Sequence, residues 1–332
     1  MYKLLGICLV FSTLLWMNTL TSVASSLLWR ILAPLFEKFS AVAKARLLFW
    51  LRVVPVALSF VLVVFFLVPS YIAEEPRDSG EIVSLKLAIA ATVSASGIVL
   101  AIWRGLRSWL VTRQLLSEWL RGSHQIKVES VSIPAYCIDH QFPIVAVVGS
   151  ISPKLFIARK VIDSLTTEEL TAALAHETGH VLGRDNLKRG LLRACRDVLT
   201  IVPCGRLLDS RWSEAAEAAA DEFAANAGKR VALDLASALV KIARLVPEGA
   251  TPIAMAGALL IGDNLSAIAW RVRRLTELAS VGKSNDYYRR SLLRMAVFVS
   301  SCACLFVLSV ANYGHILLMV HNWTEQIVSL LQ

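Results

Sequence analysis

The stretch Leu174-Ala175-His176-Glu177-Thr178-Gly179-His180 decides how this chain is read. On an α-helix, residues four apart project from one face, about one turn from each other. His176 and His180 can therefore turn their imidazoles to one metal ion, and zinc suits that donor pattern. Glu177 flanks the same point. Its carboxylate is placed to take a proton from a metal-activated water and to pass it to a leaving amine. A catalytic zinc has three protein ligands and an open position, so one ligand must come from elsewhere.

Upstream of the motif, Thr166-Thr167-Glu168-Glu169 reads as a capping box, with Thr166 as N-cap and Glu169 reaching back. It predicts a helix that runs through the motif and stops at Gly183. The third ligand is expected on a later helix. His124 and His140 precede the motif, and His315 and His321 lie in or beyond the last apolar run. The helix predicted over 213–227 offers Glu214, Glu217, Asp221 and Glu222. Glu217 and Asp221 are four apart and share a face, among alanines that permit close packing on the motif helix. Glu217 is assigned to the zinc, and Asp221 to a ligand histidine that it would orient. Without the motif upstream, these acids would read as a solvated helical face. Asp185 orients a ligand or caps the helix that starts at Asn186; the residues leave both roles open.

The chain around this centre is built for a bilayer. Its 332 residues are 56% hydrophobic and 18% charged, with a mean hydropathy of +0.60. Apolar runs at 4–29, 53–73, 87–103 and 295–318 predict about four spans. The first could instead be a cleaved signal peptide, but its continuation through Leu27, Leu28 and Trp29 suits an uncut span. The third is rich in Ala and Ser and is expected to pack through small residues. Residues 30–52 form a basic loop carrying Arg30, Lys38, Lys44, Arg46 and Arg52 against Glu37 alone. Part of it is expected to lie on the membrane as an amphipathic helix.

The basic segments 30–52, 104–127 and 289–294 are assigned to the cytoplasm and the acidic turn 74–81 to the outside, by the positive-inside rule. That accounts for the net charge of +9 without nucleic acid, and makes the lipid bilayer the expected partner. The six cysteines form no CxxC pair and suggest neither a disulfide framework nor a thiolate zinc site.

The domain division that follows has three spans in 1–103, a cytoplasmic zinc peptidase domain in 104–290, and a fourth span with a short external tail in 291–332. Within the middle part, Ile126–Val131 alternates, and 142–149 and 154–158 are short β-rich runs. They predict a small antiparallel sheet of two to four strands. Helices are predicted over 187–201, 213–227, 230–246 and 264–280. The expected fold is a membrane α-helical protein bearing a cytoplasmic α+β zincin-like domain.

His176-Glu177-Thr178-Gly179-His180, then Asp185-Asn186-Leu187, then Glu217-Ala218-Ala219-Ala220-Asp221-Glu222 resembles the HExxH…D…ExxxDE pattern of BlaR/MecR-type membrane metallopeptidases. Those are antirepressor-type regulators of bacterial antibiotic-resistance genes. The resemblance covers the chain from the first span to about residue 320, and Arg271-Val272-Arg273-Arg274-Leu275 is similar to that family's later helix. It implies Zn2+ as cofactor, the bacterial inner membrane as location, and a transcriptional repressor, another regulator or the protein itself as substrate.

Only about a dozen residues follow the fourth run, so no β-lactam-binding sensor domain is expected. The signal would then come through the spans, the external turn or a partner, whether a sensor protein or a second copy. The HExxH…ExxxD pair is shared with the HtpX and CAAX-prenyl protease type, the alternative family. Its HPxxxxR motif is not matched, because Leu265 and Ser266 stand where His and Pro are expected before Arg271. For the group that stabilises the oxyanion, Arg211, Arg271, Arg273 and His140 are all candidates.

Overall fold

Long apolar runs with few charges become helices because, away from water, each backbone donor must find its acceptor within the segment. In the computed structural model, residues 2–36, 39–76, 83–128, 131–198, 204–246, 265–280 and 313–331 are described. The first helices are α1 (Tyr2–Leu32), α2 (Ala41–Leu62), α3 (Val68–Glu74) and α4 (Leu85–Arg121). A π-helical turn, Val63–Leu67, joins α2 to α3. Three helical stretches, Tyr2–Phe36, Ala41–Glu74 and Leu85–Arg121, are long and apolar enough to cross a membrane. Of the expected fourth span, 295–318, the part up to 312 lies outside the described residues. Its end belongs to the C-terminal helix, Tyr313–Leu331.

Pro69 accounts for the irregularity between α2 and α3. It has no N–H, so the carbonyl of Phe65 loses its helical donor. Tyr313 Oη donates to that carbonyl at 2.7 Å, and Ser70 Oγ donates to Leu317 O at 2.9 Å. These bonds dock the C-terminal helix on the turn. α1 and α4 pack through small residues: the buried positions of α4 are Leu87, Ala91, Ser94, Gly97 and Ala101. Close approach supplies the attraction that lipid surroundings deny to bulky apolar side chains. α4 is 37 residues long. A bilayer core takes up about 20 helical residues, so α4 is longer than a span requires, and its C-terminal end leads into the sheet.

Part of the basic stretch 30–52 is helical, as its interleaved apolar residues suggested, but its buried face meets protein. Residues from Ala41 onward are helical, with Ser40 Oγ accepting from Ala43 N–H at 3.3 Å. The reason is tertiary. Ala45 and Leu48 pack with Leu192, Leu208, Trp212 and Ala216. Arg52 is only 2% exposed and its Nε donates to Asp209 Oδ1 at 3.3 Å. Protein contacts, not the membrane surface, take up this face.

The sheet is mixed, which corrects the antiparallel expectation. β1 (Ser123–Ile126), β2 (Ala135–Ile138), β3 (Val145–Val148) and β4 (Lys154–Ala158) stand in the order β1-β2-β4-β3. β1 pairs antiparallel with β2, and β3 with β4, but β2 and β4 run parallel. Successive strands do alternate in direction. The connection over 139–144 passes the next lateral place, however, and the tight return at Gly149 brings β4 back into it. Gly149 has φ +102, and a Cβ there would lie 2.8 Å from Ser152 O. The strand expected at 126–131 falls instead at Ser123–Ile126; residues 129 and 130 lie outside the described set.

The helices that follow are α5 (Arg159–Ser164), α6 (Thr167–Gly183), α7 (Asp185–Val198), α8 (Cys204–Ala225), α9 (Lys229–Arg244) and α10 (Leu265–Ser280). α8 begins at Cys204, well before the expected 213, because its first turns pack along α2. α6 packs against β3, α8 and α9. Its Ala172, Ala173 and Leu174 join Leu155, Ile157 and Leu239 in the domain core.

Candidate active site

The motif helix is anchored at its start. Thr166 Oγ1 accepts from Glu169 N–H at 3.3 Å, and Glu169 Oε2 accepts from Thr166 N–H at 2.9 Å. Glu169 also accepts from Ser237 Oγ and Lys241 Nζ of α9, both at 2.7 Å. Burial alone would push the Glu169 carboxyl up; these bonds outweigh it and hold it below the usual range. At the other end Gly183 is the last helical residue, and Arg184 takes the left-handed conformation with φ 52. The helix stops at Gly183 as expected, and the glycine has a further use. A Cβ there would lie 2.8 Å from Asp185 Oδ1, so its hydrogen leaves room for that carboxylate to fold back.

Asp185 Oδ2 lies 2.8 Å from His180 Nδ1. On the neighbouring helix, Asp221 Oδ1 lies 2.9 Å from His176 Nδ1. Each motif histidine therefore holds one carboxylate at Nδ1 and turns Nε2 the other way. The two Nε2 atoms are 3.2 Å apart and the rings are nearly perpendicular, at 89°. Glu217 completes the group, with Oε2 at 3.6 Å from His176 Nε2 and Oε1 at 3.5 Å from His180 Nε2. Ligand atoms of His176, His180 and Glu217 all lie within 4.8 Å of one another.

That donor set fits zinc. With Nδ1–H given to a carboxylate, each ring presents an Nε2 lone pair. Two lone pairs and a carboxylate then face one point, and mutual repulsion is relieved only by a cation or a shared proton. Tetrahedral zinc with Zn–N of about 2.0–2.1 Å sets its nitrogen ligands about 3.3–3.4 Å apart, close to the spacing here. Burial disfavours a charged His180, but Glu217 and Asp185 outweigh it and raise its pKa to about 10. Cation binding at this point is consequently linked to proton release.

Glu177 is buried, and burial pushes its carboxyl up against the opposing pull of His180 and His176. A raised carboxyl is a better proton acceptor than an ordinary glutamate. Close helix packing permits the whole arrangement. A Cβ on Gly179 would lie 3.0 Å from Ala220 Cα, so α8 crosses α6 at backbone contact and brings Glu217 and Asp221 within reach.

Arg271 of α10 was one of several candidate cations in the sequence, and the structure gives it a place. Its Nε and Nη2 clamp Asp221 at 3.0 and 2.7 Å, and Nη1 lies 3.2 Å from Glu217 Oε2. Burial would raise the Asp221 carboxyl; Arg271 and His176 outweigh it and bring it to about 2. Glu217 is likewise held well below the usual range against burial, chiefly by His180. Only a guanidinium offers a fork of this shape to a carboxylate. In the sequence, its signal was the likeness of Arg271-Val272-Arg273-Arg274-Leu275 to a later helix of the antirepressor-type peptidases.

The other candidates fall elsewhere. Arg211 pairs with Glu214 on an exposed face, and Arg273 with Glu277 on another. His140 Nδ1 accepts from Phe142 N–H beside Trp119. Glu222 accepts from Ala41 N–H at the start of α2 and pairs with Arg274. Asn186 had no assigned side-chain role; its Nδ2 donates to Val147 O and Gly149 O of the sheet.

No curated protein was found to match the chain. Residues 144–206, from the start of β3 through the motif helix to the start of α8, match the model of peptidase family M48, so this part of the chain is similar to the zinc metallopeptidases of that family.

Proposed function

We propose that the protein is an integral-membrane zinc metalloendopeptidase of the bacterial inner membrane, with its active site on the cytoplasmic side. The observation that carries this reading is the convergence of two Nε2 atoms and Glu217 beside a buried Glu177, with each histidine oriented by its own carboxylate. A zinc ion held by His176, His180 and Glu217 would supply Lewis acidity and a water of lowered pKa. Glu177 accepts the proton of the attacking water and returns it to the leaving amine. Asp185 and Asp221 keep the imidazoles in one tautomer and one orientation. Arg271 holds Asp221 and Glu217 in place and sets a positive charge beside the reacting centre.

The substrate is an extended segment of a regulatory or membrane-adjacent protein that adds to an edge of the small sheet. The resemblance to antirepressor peptidases favours a repressor or the protein itself. The match to family M48 supports a second reading, a quality-control peptidase of the HtpX and CAAX-protease kind. Leu265 and Ser266, where that type has His and Pro, count against it. An intact Glu177 counts against a zinc-bearing transducer without catalysis, since structural zinc needs no base.

Comparing the proteins that accumulate in cells carrying Glu177→Gln with those in wild-type cells tests these readings. One or a few regulators accumulating supports the leading reading, and many misfolded membrane proteins the second. No difference removes the enzyme. A reporter fused near residue 125 should behave as cytoplasmic; export of that fusion would overturn the assigned side.

A further inference from the structure

We propose that Arg189 is a catalytic residue of this site, whose guanidinium stands on the solvent-facing side and stabilises the negative charge that develops on the scissile carbonyl oxygen. The inference rests on the peptidase reading above and assigns the oxyanion group which that reading leaves open.

Arg189 lies on α7 one turn after Asp185, so the two side chains leave the helix on one face. Asp185 reaches His180. Arg189 Nη2 lies 3.9 Å from Glu217 Oε1, the oxygen that is itself 3.5 Å from His180 Nε2. The guanidinium carbon stands over the ring of Trp212, 5.9 Å from its centroid. Trp212 is buried among Leu48, Leu192 and Leu208, so it gives the cation a fixed platform.

Side-chain exposure shows which side of the site is open. His176 and Asp221 are sealed, and Arg271 is 5% exposed. Glu217 is 26% exposed, Arg189 17% and His180 15%. A peptide bond that enters the site therefore meets these three. Arg271 is spoken for: its Nε and Nη2 hold Asp221, and Nη2 lies 3.3 Å from the ring nitrogens of His176, behind that histidine. Arg189 is not. Its distance to Glu217 is too long for a hydrogen bond, and among the described residues nothing accepts one from its guanidinium. A cation already held in place, with its donors unspent, needs little reorganisation when charge appears beside it.

The charge has a definite course. Water adds to the carbonyl carbon, the new C–O bond forms, and the π pair moves onto the carbonyl oxygen, which becomes anionic. The water's proton goes to Glu177. The C–N bond then breaks, the oxygen's pair re-forms the carbonyl, and the amine leaves with the proton from Glu177. Arg189 is needed only between these two events, so its contribution falls on the tetrahedral species and not on the planar amide.

The test uses full-length protein in detergent, loaded with zinc, and two inhibitors with the same apolar side chains. One is a phosphinic peptide, tetrahedral and anionic at the scissile position; the other is a ketomethylene peptide, planar and uncharged there. Calorimetry gives both affinities and chelator competition gives that for zinc. Arg189→Met should weaken the phosphinic peptide about a hundredfold, with the ketomethylene peptide and zinc changed less than about threefold. Arg189→Lys keeps the charge without the fork and should recover part of the loss. An unchanged phosphinic affinity overturns the proposal. Equal losses for both peptides overturn it too, since Arg189 would then hold substrate in general. So does a fall in zinc affinity alone, which would make Arg189 a support for Glu217. Should Arg189→Met fail to fold, Arg189→Lys decides: the phosphinic peptide should weaken about tenfold and the ketomethylene peptide not at all, and no selective loss overturns the proposal. If neither peptide binds the zinc-loaded wild type, the peptidase reading falls and this inference with it; binding without the stated selectivity overturns the inference alone.

Discussion

Gly179 of the motif helix stands against Ala220 of α8 so closely that a methyl group on Gly179 would lie 3.0 Å from the Ala220 Cα. Ala220 sits between Glu217 and Asp221 in the chain. Helix spacing at this one contact therefore decides whether both carboxylates reach the histidines. Gly179→Ala should force the helices apart by a few tenths of an ångström. Overpacking of this kind costs about 1–3 kcal/mol, offset in part by the better helix propensity of alanine, about 1 kcal/mol. Zinc affinity should fall about tenfold, read by chelator competition. Affinity equal to wild type would show that the contact does not position Glu217.

Asp185 is expected to act on zinc through His180 alone. Asp185→Ala should lower zinc affinity about 10–100-fold, the usual cost of removing a carboxylate behind a ligand histidine. Circular dichroism should show the helical content retained, since Thr166 and Glu169 cap α6 independently of Asp185. A variant that binds zinc as tightly as wild type would reduce Asp185 to a helix-start residue.

Local periodicity made part of this site legible and tertiary contact hid the rest. The HExxH spacing, the capping box and the Glu217–Asp221 pair all follow from the helix repeat, so each could be read within a few residues. Arg271 could not, because its partner Asp221 is 50 residues away and only packing of α10 on α8 joins them. β2 escaped notice since Ala135–Ile138 is just four residues long and owes its strand state to two neighbours. The basic segment ahead of the second span looked like a membrane-surface helix because Lys44, Arg46 and Arg52 interleave with apolar residues. Arg52 is in fact buried against Asp209, a partner in a helix far along the chain. The mixed sheet followed from one skipped lateral position, which strand patterns do not encode.

Glu169 gives a pH dependence with a definite sign. Its folded carboxyl lies below the ordinary value of 4.5. A depressed carboxyl contributes stability that is present above the unfolded value and is lost as pH falls through the folded one. Glu169→Gln should therefore cost about 1–3 kcal/mol near neutral pH, and the gap to wild type should narrow below about pH 4.5. Paired thermal melts across pH 3–8 measure it. A gap that is constant with pH would mean that charge plays no part in this contact.

Arg52 and Asp209 join α2 to α8, which carries Glu217. Asp209→Ala leaves Arg52 buried beside its lost partner, and breaking such a pair costs about 3–5 kcal/mol. Replacing both, as Arg52→Met with Asp209→Leu, should recover most of that loss. Thermal melting of wild type and the two variants in detergent decides the matter. A harmless Asp209→Ala would indicate that Arg52 reaches water or another anion.

The central claim is that His176, His180 and Glu217 hold one zinc ion that Glu177 uses without binding. Elemental analysis of purified full-length protein, dialysed against limiting zinc, tests it most directly. The account predicts about one zinc per chain for wild type and for Glu177→Gln, and almost none for His176→Ala. Wild type without zinc, or His176→Ala with as much as wild type, would contradict it.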